Sequence, residues 1–104
     1  MLKPPLQFQC MGMTVEVEVG VEHDSDVAGH FYPEESKITI APTDNEEYRM
    51  VTFFHEYLHC VFGTLGYEKD NKNEKKIDQI AQCLYQLMKT SVTEDDVKPK
   101  SKKR

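Results

Sequence analysis

Residues 44–66 constrain the fold of this chain more than any other stretch. Asp44 with Glu47 three positions on, and Thr43 with Glu46, both have the spacing of a capping box, so either pair marks a helix start. Gly66 supplies the residue that most readily closes a helix in the left-handed conformation. Between these signals, positions 50–65 are apolar almost all the way round, which predicts a central helix covered on several sides. His55, Glu56 and His59 sit inside this apolar run as H-E-x-x-H. Residues i and i+4 share one helical face, so the two imidazoles lie one turn apart. Burying them beside a carboxylate is costly unless something pairs them, and a divalent metal is an economical partner.

Two imidazoles at that spacing reach a single zinc ion, and the neighbouring carboxylate of Glu56 is placed to take a proton from an activated water. A catalytic zinc commonly has three protein ligands and one open position. The third ligand is therefore the open question. A histidine six residues after His59 would complete one known pattern, but Leu65 stands there, and Phe62 takes the place of its glycine. His23 and His30 lie upstream with no supporting spacing. A second amphipathic segment, residues 73–89, carries Ile77, Ile80, Ala81, Leu84, Leu87 and Met88 at helical spacing and must pack on the first helix or on a sheet. On its helical wheel Glu74 falls about 60° from Ile77, on the shoulder of the apolar face, and Asp78 falls about 100° away, nearer water. Glu74 is thus the best-placed third ligand, ahead of Asp78 and Glu68. Gly63, one turn past His59, costs helix stability of about 1 kcal/mol relative to alanine, which suits close approach of a second helix or a substrate.

The remaining elements are short. Residues 14–21 alternate Val15, Val17, Val19 and Val21 with Glu16 and Glu18, a half-buried strand in which Gly20 marks a bend or bulge. Residues 8–11 are a candidate preceding strand with Gly12 near a turn, and residues 37–41 alternate and are β-branched, a further strand. Residues 67–73 are charged and turn-rich. The expectation is an α+β fold: a small, mostly antiparallel sheet packed on the H-E-x-x-H helix and a second, C-terminal helix. The single domain would span 14–90, with a lead-in over 1–13 and a polar, basic, solvated tail over 91–104. Within the first helix, Phe54, Leu58, Val61 and Leu65 form a stripe expected to meet the sheet.

A chain of 104 residues, 38% hydrophobic, suits one modest core. Net charge is −5, but residues 98–104 hold five positive charges and no acid, so the body stands at −10. A body this acidic is a poor phosphate-binding surface, which argues against duplex recognition, although the tail could touch nucleic acid. No apolar run is long enough to cross a bilayer, and the first residues lack a secretory h-region, so a cytoplasmic location is expected. Cys10, Cys60 and Cys83 fit no zinc finger or C-x-x-C pair. Cys60 and Cys83 read as buried free thiols, and Cys60 points about 100° away from His59, so it is not a ligand.

Residues 52–59, T-F-F-H-E-Y-L-H, and residues 74–81, E-K-K-I-D-Q-I-A, together resemble the zincin-like metallopeptidases of the ImmA/IrrE group and small phage or prophage proteins of that type. Residues 29–40 resemble the short strand preceding the active-site helix there. The size is similar to the minigluzincins. The resemblance implies a zinc metallopeptidase, a hydrolase of peptide or protein substrates, acting in the host cytoplasm if phage-encoded. It implies His55, His59 and Glu74 as metal ligands and Glu56 as the catalytic base. An oxyanion-binding group is also expected, with Tyr48, Tyr67, Tyr85 and His30 as candidates. Two alternatives remain open from the residues alone: an inert binding protein with a structural metal, and a zinc hydrolase of a non-peptide bond.

Overall fold

A computed structural model describes residues 1–24 and 26–96. Four strands, β1 (Gln7–Cys10), β2 (Met13–Val19), β3 (Gly29–Tyr32) and β4 (Lys37–Ile40), form one sheet in the order β1-β2-β4-β3. β1 pairs antiparallel with β2 and β3 antiparallel with β4, while the central β2–β4 pair is parallel. Three helices follow: α1 (Glu46–Leu65), the single turn α2 (Glu68–Asn71), and α3 (Glu74–Thr90). The fold is α+β with a mostly antiparallel sheet, as expected.

Local chemistry explains where β1 and β2 end. Met11 and Gly12 both take positive φ, 51° and 83°, the geometry that two-residue hairpin loops require. That hairpin draws residues 7–13 of the lead-in into the sheet, with residues 7–10 as the candidate first strand, and Leu2 also packs against the core. β2 stops at Val19, two residues short of the expected end. Gly20 takes φ 85° and turns the chain out of the ladder, leaving Val19 exposed. β3 was not set apart in the sequence, because G-H-F-Y is too short to show a period.

The period-2 alternation places Phe8, Cys10, Val15, Val17, Ile38 and Ile40 on one face, under α1. From the helix, Met50, Phe53, Tyr57, Cys60 and Val61 meet that face. Leu58 instead joins Ile77 and Ala81 in a second cluster between α1 and α3, Phe54 touches both clusters, and Leu65 is exposed. The expected sheet-facing stripe is therefore rotated by about one residue. A helix apolar on every side contains no signal about which stripe meets which neighbour. Each fully buried Ile or Val here is worth roughly 1.5–3 kcal/mol against exposure.

The helix caps differ slightly from expectation. Asn45 caps α1, its Oδ1 accepting from the Tyr48 N–H at 2.9 Å, while Thr43 Oγ1 accepts from the Asn45 N–H at 3.1 Å. Gly66 closes α1 at φ 79°, as read from the sequence. Asn73 caps α3 by accepting from the Lys76 N–H at 3.1 Å. Of the apolar face of α3, Ile77 and Ala81 are fully buried, but Leu87 and Met88 are exposed. The first turn of α1 is polar where α3 passes it: Glu46 there meets Tyr85 and Lys89. Cys83, expected to be buried, is exposed. The basic segment 98–104 lies outside the described residues, and no helix among those described is long and apolar enough to cross a membrane.

Candidate metal centre

α1 and α3 run antiparallel, which brings the middle of α1 opposite the start of α3. The result is a direct meeting of His55 and His59 with Glu74. Glu74 Oε1 lies 2.9 Å from His55 Nε2, and Glu74 Oε2 lies 3.3 Å from His59 Nε2. One ligand atom from each of the three residues falls within 4.8 Å of the others, and among the described residues this is the one such group of His, Cys, Asp and Glu. It can hold a metal ion. Neither Glu68, in the short α2, nor Asp78 belongs to it.

The outer ring nitrogens explain the orientation. His59 Nδ1 is 2.8 Å from Asn71 Oδ1, an acceptor, so Nδ1 carries the hydrogen and the Nε2 lone pair is turned toward Glu74. His55 Nδ1 lies 3.5 Å from Asp78 Oδ1, long for a hydrogen bond but close enough for electrostatic steering. Asp78 is itself held by the Gln82 Nε2 donor at 2.8 Å. Two imidazole lone pairs and a carboxylate facing one another are mutually repulsive. With both Nε2 atoms unprotonated the group is open to a cation at its centre, and two imidazoles with one carboxylate make a suitable donor set for a divalent transition ion.

Glu56 is buried at the base of the site, against β3. Burial raises its carboxyl above the ordinary carboxylate range, and positive charge on His55 and His59 acts in the opposite direction. The approach of β3 depends on Gly29. A Cβ at that position would stand 2.8 Å from the Thr39 carbonyl oxygen, 2.8 Å from Thr52 Cγ2 and 3.5 Å from Glu56 Cγ. An edge strand can lie this close only without a side chain.

A cleft of about 1320 Å³ opens over these residues, bounded by β3 and α1 and extending onto α3. Comparison of the chain with known protein families, curated proteins and solved structures finds no match. The site therefore has to be read from its own atoms. Of the four oxyanion-binding candidates, Tyr48 and His30 line the cleft. Tyr85 is turned away and donates to Glu46 at 3.0 Å, and Tyr67 packs beside Phe62. His23 lies elsewhere, with Nε2 2.7 Å from Thr39 Oγ1.

The sequence pointed to His55, Glu56, His59 and Glu74 together. It did not point to Asn71 or Gly29. Asn71 sits in a polar stretch whose single helical turn leaves no periodic trace. Gly29 had a usable signal, since glycine at a strand position often marks close backbone approach.

Proposed function

We propose that this chain is a zinc-dependent peptidase. His55, His59 and Glu74 would hold the ion through three ligands, leaving a position free for water or substrate, and Glu74 is 64% exposed on the open side of the group. Bound zinc would supply Lewis acidity for water activation and carbonyl polarisation. Glu56 is the general base: its buried carboxylate takes a proton from the attacking water and returns it to the departing amine. The raised proton affinity that burial gives Glu56 suits both halves of that task. Asn71 holds the His59 ring, the Asp78 charge steers that of His55, and Tyr48 or His30 is available to bind the developing oxyanion. The order of edge strand, H-E-x-x-H helix and glutamate-bearing helix supports a zincin-like plan of the ImmA/IrrE kind.

The observation that carries this reading is the convergence of the three ligand atoms within 4.8 Å, beside a buried glutamate and beneath an open cleft. A purely structural site would be closed, with four protein ligands and no cleft. The deciding experiment is Glu56→Gln assayed against a peptide library. The variant is expected to keep stoichiometric zinc and the wild-type melting temperature while losing peptide cleavage. Equal turnover by wild type and variant, or no cleavage by zinc-loaded wild type, would overturn the assignment in favour of a metal-stabilised binding protein.

A further inference from the structure

The cleft does not end at the candidate metal ligands. Toward the start of α1 it continues between α1 and α3, following the four-residue repeat of each helix: Glu47 and Val51 before His55 on one side, Asp78 and Gln82 after Glu74 on the other. Val51 is half-buried and gives this end an apolar floor. Four carboxylates line the whole cleft, Glu47, Glu56, Glu74 and Asp78, and no lysine or arginine lines it among the described residues.

The neighbouring charges make this end distinct. Glu46, adjacent to Glu47, is neutralised by Lys89 at 2.8 Å, and Lys76 is taken by Asp70 at 2.7 Å. Glu47 and Asp78 have no Lys or Arg partner among the described residues. A divalent ion at His55, His59 and Glu74 offsets the charges of Glu74 and Glu56. Glu47 and Asp78 then set the sign of the groove beyond it. An acidic side chain entering there meets like charge. A lysine or arginine lays its methylenes along Val51 and brings its charge to Glu47, with Asp78 adding to the negative field from the His55 end.

We propose that this end of the cleft is a subsite for a lysine or arginine side chain close to the scissile bond, with Glu47 the specificity-determining residue. The inference rests on the peptidase reading, and binding tests it separately from turnover. Zinc-loaded Glu56→Gln protein would be titrated, by fluorescence anisotropy, into labelled peptides differing only in a central Lys-Lys, Leu-Leu or Glu-Glu pair. The Lys-Lys peptide is expected to bind about tenfold more tightly than the Glu-Glu peptide, with the preference shrinking as salt is added. Adding Glu47→Lys should remove most of that preference. Glu16→Lys, the same charge change on the far side of the sheet, should leave it standing. Equal binding of the three peptides, no binding of any, or an equal loss of preference in the Glu16→Lys protein would overturn the subsite. Selective binding of the Lys-Lys peptide without its cleavage by wild type would remove the peptidase reading and leave the cationic subsite intact.

Discussion

The Nδ1 of His59 lies 2.8 Å from the side-chain oxygen of Asn71, so a residue in the short α2 sets the tautomer of a ring on α1. That contact leaves the other nitrogen of His59 as an electron-pair donor facing Glu74. Asn71→Ala removes the acceptor and frees the ring to rotate or change tautomer. Loss of such outer partners commonly weakens metal binding by about 10- to 100-fold. Competition with a chromophoric zinc chelator measures this directly. Unchanged zinc affinity in Asn71→Ala would mean that packing alone orients His59.

Metal removal should lower stability, because the three donor side chains come from two helices and meet only in the folded chain. Free zinc at about 100 times its dissociation constant adds about 2.7 kcal/mol to unfolding free energy. For a domain of this size that corresponds to a rise in melting temperature of about 10 °C or more. Calorimetry with zinc and with excess chelator is the check. Coincident melting curves would count against a metal at this site.

Gly29 is expected to tolerate no side chain. A methyl there would stand 2.8 Å from a backbone carbonyl oxygen, which cannot rotate away as a flexible side chain would. The edge strand must then lift from α1, the helix that carries Glu56. Overpacking of this kind typically costs about 1–3 kcal/mol. Urea unfolding of Gly29→Ala measures that cost, and a change below about 0.5 kcal/mol would show that β3 can move freely.

How far the sequence reveals this fold depends on the kind of signal each element carries. α1 and α3 were legible to within a few residues, since capping residues, Gly66 and long apolar runs mark them. Glu74 was legible because one shoulder of an amphipathic wheel can be computed without knowing the partner. The facing of α1 was not legible: with Phe53, Phe54, Tyr57, Leu58 and Val61 spread round the helix, only tertiary packing decides which of them meet the sheet. β3 and α2 are four residues each, shorter than the windows over which periodicity becomes visible. Asn71 and Gly29 lie in or beside those short elements, so the parts of the site they form emerged only with the fold.

The three cysteines should react at very different rates. Cys10 and Cys60 are buried against each other, and burial together with the Cys10 thiol pushes Cys60 up to about 11. Cys83 is exposed on α3. The thiolate is the reactive form, so at pH 8 only on the order of 0.1% of Cys60 is available even before burial limits access. Alkylation of the native protein followed by mass spectrometry should find Cys83 modified first, with Cys10 and Cys60 modified only on denaturation. Early labelling of Cys60 would contradict the packing of β1 on α1.

The contact of Glu46 with Lys89 and Tyr85 predicts how stability varies with acid. The Glu46 carboxylate accepts from Lys89 Nζ at 2.8 Å and from Tyr85 Oη at 3.0 Å, tying the start of α1 to the end of α3. The Lys89 hydrogen bond is the main reason its carboxyl lies below the ordinary value of 4.5, with a smaller contribution from Tyr85. A carboxyl whose folded-state pKa is depressed adds stability that is fully present above its unfolded pKa and is lost as pH falls through the folded value. The loss therefore falls below about pH 4.5. Lys89, raised by the same contact, keeps its share up to its ordinary value of 10.5 and loses it only in stronger alkali. Glu46→Gln should lower the melting temperature at pH 7 and flatten its decline between about pH 5 and pH 2. Because the Lys89 end of the pair is exposed, added salt should shrink the difference. Parallel pH profiles for the two proteins, offset by a constant amount, would show that Glu46 contributes through packing and not through its charge.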